Sequence, residues 1–412
     1  MDLQLNYNDP LIMHIDLNSC FAIIEQQANP LIRHKPVAIA AYDTPRGAVI
    51  ASSYEAKAKG IKLGVNVREA RLLDRNVIVM MPDVDKYFDA HNRFNKVLLN
   101  YTNEVVSRSV DEFVVDFAGS PAVREGQSLV DVGMNIKKDV KAALGEYVTV
   151  NVGIGTNRFL AKLAAGLHKP DGLDVINADN LREVYSKLEL VDLPGINRGY
   201  QARLNMAGIY TPLQFLDAPM LLLKKQVFKS ICGYYWYLRL RGHEIDNVDY
   251  GRKSFGQQYA LGDKTTDRNQ ISRLLMKLCE KAGRRMRKGG YTGHGVHLWL
   301  NFENRMYWAK GRKTKSGIYA TQDIYLNAQK LLNEVSIPGR VSNIGVTVFN
   351  LEPVNPIQLG LFDDSRLDAT SLAKAADIIN DKYGEFTLVP AIMVNMQDII
   401  LKRVAFGSVQ DI

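Results

Sequence analysis

Asp111 and Glu112 are adjacent carboxylates lying between two apolar runs, Val105-Val106 before them and Phe113-Val114-Val115 after, which puts the pair in or at the end of a buried strand. Ionised carboxylates packed side by side in such a place raise each other's pKa and lose hydration, so they call for a cation or a basic partner. Asp16 has the same setting, with Leu11-Ile12-Met13-His14-Ile15 leading into it and Cys20-Phe21-Ala22-Ile23-Ile24 following. Two strand-borne carboxylate sites and one neighbouring glutamate are the parts needed to hold two divalent ions close together, an arrangement that activates a hydroxyl and steadies a phosphate leaving group. The same residues also fit a plainer role, because acidic side chains often close strands.

Other stretches offer contacts to phosphate. Residues 46–60 read as a turn, a strand and a helix that starts near Ser52 and Ser53 and stops at Gly60. Ser52, Ser53, Tyr54 and Lys57 at that helix start either present amides, hydroxyls and an ammonium to a phosphate or simply cap a surface helix. Val191-Asp192-Leu193-Pro194-Gly195-Ile196-Asn197-Arg198-Gly199 joins two short helices. It is either a generic helical hairpin or a helix-hairpin-helix that grips the nucleic-acid backbone through amides around Gly195 and Asn197.

The elements that must position these residues follow from apolar periodicity. After the first strand come a helix over 22–28, a short strand within 31–41, a long amphipathic helix over 86–106 feeding the Asp111-Glu112 strand, and a helix over 128–144. A strand over 148–155 and a helix over 157–167 complete an α+β unit, with helices expected on one face of a mixed sheet. Residues 178–242 read as helical and 243–252 as a polar linker. From 254 to 351 the order is β-α-β-β-α-β, followed by an amphipathic helix over 367–383.

At 412 residues the chain has room for two to four domains. Its formal charge is +8, but residues 253–350 carry 17 Lys/Arg against 6 Asp/Glu, a net of +11, so this one segment holds the basicity. Arg284, Arg285, Arg287, Lys288, Lys310, Arg312, Lys313 and Lys315 cluster there, as expected of a small sheet laid on nucleic acid. Cys20, Cys232 and Cys279 show no metal-ligand spacing and fit reduced thiols in a cytoplasmic protein. No signal-peptide pattern opens the chain, and no apolar run approaches the roughly 20 residues that span a bilayer, so no membrane partner is expected. Gln358-Leu359-Gly360-Leu361-Phe362 displays three large apolar residues among polar ones, the mark of a docking peptide or of a short core strand.

Four motifs taken in order resemble the Y-family of translesion DNA polymerases, in the bacterial branch that includes DinB-like and UmuC-like enzymes. They are Asp16-Leu17-Asn18-Ser19-Cys20-Phe21-Ala22, Tyr54-Glu55-Ala56-Lys57-Ala58-Lys59-Gly60, Ser109-Val110-Asp111-Glu112-Phe113, and Val152 to Lys162 leading to Lys169-Pro170. The resemblance spans Ile12 to Phe362. It implies a right-hand polymerase with a palm over 1–23 and 78–177, fingers over 24–77, a helical thumb over 178–242, a linker over 243–252, a little finger over 253–351 and a C-terminal segment over 352–412. It also implies two Mg²⁺ ions bridged by Asp16 and Asp111, with Glu112 on the ion at the primer 3′-hydroxyl and the Leu17 carbonyl on the nucleotide-side ion. Cys20, Phe21, Tyr54, Lys57 and Lys169 would line the deoxynucleoside triphosphate, with Phe21 as a steric gate against a 2′-hydroxyl. Gln358, Leu359, Leu361 and Phe362 look like a peptide for the bacterial sliding clamp.

The sequence departs from the family at several points. Lys57 stands where many relatives carry Arg, exchanging a fork for a point charge. Cys20 replaces a usual aromatic, Ile50 is bulkier than the roof residue of permissive relatives, and Asn197 replaces a hairpin glycine, acceptable because Asn visits the left-handed region. About fifty residues follow the clamp peptide, an arrangement closer to the UmuC-like side, where accessory subunits are a further expected partner. The leading expectation is therefore low-fidelity, template-directed DNA synthesis across damage. The alternatives are a non-catalytic DNA-damage factor that occupies primer ends and the clamp, and a palm-fold nucleotidyl cyclase.

Overall fold

The structure, a computed structural model, describes residues 3–248, 250–354 and 364–396. Its strands in chain order are β1 (Ile12–Leu17), β2 (Val37–Ala40), β3 (Val49–Ser52), β4 (Ile78–Met80), β5 (Val105–Ser107), β6 (Glu112–Asp116), β7 (Val150–Gly155), β8 (Leu173–Ile176), β9 (Ser254–Thr265), β10 (Tyr291–Phe302), β11 (Tyr307–Ile318) and β12 (Val341–Pro353). They form sheets ordered β5-β6-β1-β7-β8, β3-β2-β4 and β11-β10-β12-β9. The chain divides into two compact units at residue 248, inside the polar stretch read as a linker.

In the first unit β1 is the middle strand of the five-stranded sheet, antiparallel to both β6 and β7. Alternation sends Met13, Ile15 and Leu17 into a core with Phe113, Val115, Val152 and Ile154, closed by the helices Val84–Leu99 and Leu129–Leu144. Ile12, His14 and Asp16 point to the opposite face, where Ile12 and Val114 pack on Ala161 of the helix Arg158–Leu167. Helices therefore cover both faces, not one as expected from the pattern. The reason lies in β7. A Cβ at Gly153 would stand 2.1 Å from the Ala161 carbonyl oxygen, and one at Gly155 would stand 2.5 Å from the Ala161 nitrogen, so only glycine lets this helix lie directly on the sheet.

Local boundaries also shift from the sequence reading. The first helix begins at Cys20, directly after Ser19 in the left-handed region at φ 49°. Pro30–Ile32 forms a turn of 3₁₀ helix, and only Val37–Ala40 of the 31–41 stretch is strand. The long helix stops at Leu99, and the β-branched Val105 and Val106 pair with Val115 and Val114 as β5. In the three-stranded sheet β4 runs parallel to β2, so Ile78–Met80, expected in the palm, belongs structurally with residues 37–52. Downstream, helices including Arg198–Met206, Pro212–Asp217 and Cys232–Leu240 share a core with Phe159, Leu160 and Leu163 of the helix on β7.

The second unit carries helices Arg268–Lys288 and Thr321–Asn333 against one face of its sheet, burying Leu274, Leu278, Val296, Leu298, Ile344 and Val346. A third helix, Asp364–Tyr383, follows, and the chain beyond it buries Met393 and Met396. Met396 joins the core of this unit.

Candidate active site

The β1–β6 register sets Asp16 directly opposite Glu112, and the Leu17 amide donates to the Asp111 carbonyl at 2.9 Å. Three carboxylates are thus built into one end of two neighbouring strands. Ser109 holds the turn before β6: its hydroxyl donates to Asp111 Oδ1 at 2.6 Å and accepts from the Glu112 amide at 3.1 Å. Burial pushes the Asp16 carboxyl up despite the opposing charge and hydrogen bond of Lys169. Burial also pushes Asp111 up, helped by Glu112 and opposed by the Ser109 bond. For Glu112, burial acts upward but is outweighed by Lys162, whose ammonium donates to Oε2 at 2.6 Å, so this carboxyl is held below its usual range.

Two lysines from the chain around β7 supply the cations that the sequence called for. Lys162 comes from helix 158–167, and Lys169 Nζ donates to Asp16 Oδ2 from the loop behind that helix. His14 lies on the same strand face as Asp16, 2 % exposed, with Nε2 3.8 Å from Glu112 Oε2. Burial, reinforced by Lys162, Lys169 and Arg108, lowers its pKa to about 3 against the pull of Glu112. Burial thus disfavours the ionised forms of Asp16 and Asp111, a cost that a bound divalent cation relieves. Among the described residues, no three His, Cys, Asp or Glu side chains are already gathered for a metal; Asp16 and Glu112 are each paired with a lysine. The donor set still fits one: hard oxygen ligands on rigid strands.

On the other side of Asp16, Lys57 donates to the Ser19 hydroxyl at 2.7 Å and lies 4.6 Å from the Tyr54 ring centre. Burial lowers the Lys57 pKa, with Lys169 adding to the shift and Asp16 opposing it. Three ammonium groups, on Lys57, Lys162 and Lys169, therefore surround the carboxylates. Phe21 is buried and stacks on Tyr87 at 4.4 Å with planes 16° apart. Tyr87 is fixed in turn by a 3.0 Å bond to Glu25. Cys20 is buried beside Phe21, and burial, with the charges of Asp111 and Asp16, pushes its thiol well up, so it acts as packing and not as a nucleophile.

Residues 15–166 match the profile of the impB/mucB/samB family, and residues 252–361 match that of the impB/mucB/samB family C-terminal domain. A DNA polymerase IV of Moorella thermoacetica is 31% identical over 389 residues, covering 92% of this chain and 94% of the relative. A DNA polymerase IV of Pelotomaculum thermopropionicum is 29% identical, covering 95% and 97%. Among solved structures, a Y-family polymerase chimera of Dbh and Dpo4 matches with a TM-score of 0.72 and 25% identity over 83% of this chain and 99% of that one. The chain belongs to the Y-family of DNA polymerases.

As a Y-family member it is a DNA-directed DNA polymerase, with the palm, fingers, thumb and little finger of that architecture. Several residues expected to serve this family's DNA contacts sit differently from the sequence reading. Asn197 is not left-handed: at φ −94° it caps helix 198–206, its side chain accepting from the Tyr200 amide at 2.9 Å, while Gly195 alone takes the positive φ of 94°. Arg284 and Arg287 are committed within the domain. Arg287 makes two bonds to Asp377 at 2.6 and 2.9 Å, and Arg284 bonds Asp381 at 2.7 Å, because the acidic side of helix 364–383 lies over this side of helix 268–288. Arg285 donates to the Gly256 carbonyl at 3.1 Å, and Lys310 and Arg312 share Glu334, each at 2.6 Å. Lys288, Lys313 and Lys315 are exposed. The peptide Gln358, Leu359, Leu361 and Phe362 lies outside the described residues. No helix among them is long and apolar enough to cross a membrane.

Sequence reasoning assigned no role to Lys162, His14, Asn18 or Asn151. His14 was accessible to it, since a period of two places residue 14 on the face of residue 16. Lys162 lay within a quoted motif, but its partner is 50 residues away, and only the strand-to-helix packing joins them.

Proposed function

We propose that this Y-family polymerase carries out low-fidelity, translesion DNA synthesis by two-metal nucleotidyl transfer from a deoxynucleoside triphosphate to a primer 3′-hydroxyl. The observation that carries this reading is the pairing of Asp16 with Glu112 across β1 and β6, with Asp111 tied to Leu17 beside them. Asp16, Asp111, Glu112 and the Leu17 carbonyl would hold two Mg²⁺ ions. When bound, the ions supply Lewis acidity, lowering the pKa of the 3′-hydroxyl and countering charge on the reacting phosphate.

The remaining work falls to side chains of this chain. Lys169, Lys57 and Tyr54 bind the triphosphate, and their donors offset the charge that builds on the leaving pyrophosphate. As a point charge, Lys57 orients a phosphate less than a guanidinium would. Phe21, held flat by Tyr87, closes the space under C2′ of the sugar and so selects deoxynucleotides by exclusion. The hairpin at Gly195 and the basic little finger, with Lys288 and Lys313 exposed, hold primer–template DNA through its backbone. Gln358, Leu359, Leu361 and Phe362 tether the enzyme to the bacterial sliding clamp in the cytoplasm, compensating for a loose grip on DNA.

Primer extension on undamaged and abasic templates, with Mg²⁺ and all four deoxynucleotides, tests the proposal. Wild type is expected to extend past the lesion, and the Asp111→Asn/Glu112→Gln variant to bind the duplex without extending it. Extension by the variant would remove the metal assignment. Absence of extension by wild type with binding intact would point to a missing partner subunit or to the non-catalytic factor.

A further inference from the structure

Lys169 has the least regular support of the three lysines, since it stands in the loop between helix 158–167 and β8. Two buried amides hold this loop from below. Asn151, in β7 and fully buried, donates through Nδ2 to the His168 carbonyl at 3.0 Å. Asn18, 1 % exposed and two residues after Asp16, accepts at Oδ1 from the Asp171 amide at 2.9 Å and from the Thr149 hydroxyl at 2.9 Å. The two amides are joined to each other by a 2.8 Å bond from Asn18 Nδ2 to Asn151 Oδ1. They therefore grip the loop at the residue before Lys169 and at the second residue after it. On the far side, Lys137 and Lys141 approach the Asp171 carboxylate at 3.2 and 3.1 Å.

We infer that Asn18 and Asn151 are positioning residues that fix the Lys169 ammonium relative to the Asp16 carboxylate. The inference rests on the reading of Lys169 as a triphosphate ligand. Buried amides hydrogen-bonded through both nitrogen and oxygen are rigid, and a loop held at two points has few alternative conformations. Because Asn18 follows Asp16 within two residues, the same side chain references the phosphate-binding loop to the strand end that carries the reacting groups. Loss of this grip lets Lys169 sample positions away from the triphosphate and weakens nucleotide binding while leaving DNA binding alone.

The test is equilibrium binding of a correct dNTP to the full-length enzyme on a dideoxy-terminated primer–template, in a double-mutant cycle of Asn151→Ala and Lys169→Ala. Asn151→Ala is expected to raise the dNTP Kd about tenfold, the equivalent of roughly one charge-assisted hydrogen bond, with the DNA Kd unchanged. The double variant is expected to bind no more than about twofold more weakly than Lys169→Ala, since the amide acts through that lysine. Additive losses, or an unchanged Kd in Asn151→Ala, overturn the inference. If Asn151→Ala does not fold, Asn151→Asp replaces it: nearly isosteric, it keeps the acceptor for Asn18 and removes the donor to His168. A dNTP Kd unchanged in Asn151→Asp likewise overturns the positioning role. Unchanged affinity in Lys169→Ala alone overturns the triphosphate reading itself and is read from that variant independently.

Discussion

Removing Asp377 should loosen the second unit far more than a surface charge change would. Asp377→Ala deletes the two bonds to Arg287 at 2.6 and 2.9 Å and a 3.6 Å approach to Arg284. The Arg287 side chain is only 3 % exposed, so its cation cannot regain water while helix 364–383 stays in place. It would keep the Tyr319 carbonyl at 3.2 Å and the Thr321 hydroxyl at 3.1 Å, which satisfy Nη1 but not the charge. Breaking a buried pair by removing one partner costs roughly 3–5 kcal/mol, a large part of the roughly 5–15 kcal/mol that stabilises a domain. Helix 364–383 is also held by Arg284 through Asp381, so partial detachment of this helix is the expected relief. Urea denaturation combined with hydrogen exchange resolved along the chain would read both effects: a stability loss of about 3 kcal/mol or more, and lost protection over 364–396. Replacing both partners, Arg287→Met with Asp377→Leu, should restore most of the loss, because apolar residues need no compensating charge. A single variant within about 1 kcal/mol of wild type, with helix 364–383 still protected, would refute the reasoning.

Three further outcomes are expected. Phe21→Ala should raise ribonucleotide incorporation by roughly tenfold or more, the scale on which one steric exclusion discriminates; unchanged sugar selection in single-nucleotide kinetics would unseat the gate. Deleting residues 358–362 should shorten only the products made with a sliding clamp present, and equal stimulation without the peptide would remove the docking assignment. In chelator, His14→Gln should flatten the acid limb of stability. The folded pKa of His14, about 3, lies below its usual 6.5, so below pH 6.5 the unfolded chain takes up a proton that the native state refuses and stability falls as pH falls. At pH 5 this amounts to about 2 kcal/mol, and urea curves that stay parallel for the two proteins from pH 8 to 5 would rule it out.

Much of this architecture was legible in residue order. Apolar runs flanking Asp16 and Asp111-Glu112 marked two buried strands, and the β-α-β-β-α-β order of the basic segment emerged with the same elements. What could not be read was anything requiring two distant segments at once. Gly153 and Gly155 were visible as glycines in a strand, but that they seat a helix on the second face of the sheet depends on which helix arrives there. Asn197 was acceptable at a hairpin glycine position because Asn tolerates left-handed backbone, yet its preference for helix N-caps, equally a property of the residue type, prevailed. The basic cluster at 284–288 looked uniform along the chain, whereas a helix distributes residues around its axis, and Arg284 and Arg287 meet the acidic side of helix 364–383. For the carboxylates, the need for cations was apparent; that Lys162 and Lys169 meet it was not, because both reach Asp16 and Glu112 only through packing on β7 and β1.

The segment beyond the family's C-terminal profile also bears on when this protein becomes native during its synthesis. Lys277 lies in the middle of helix 268–288, is 1 % exposed, and donates to the carbonyl of Met396. Met396 belongs to the same core as Leu278 and Ile344. At roughly 5–20 residues per second, a ribosome needs on the order of ten seconds to add the chain from the end of that helix to Met396. In the last part of this interval, once Pro353 has been added, the little finger has its sheet and both of its packing helices but not its final cover, so a buried lysine and part of an apolar core await residues still to be translated. The domain is completed from its far end, and the nascent chain passes through a stage in which arginines later matched by aspartates are open to any polyanion nearby.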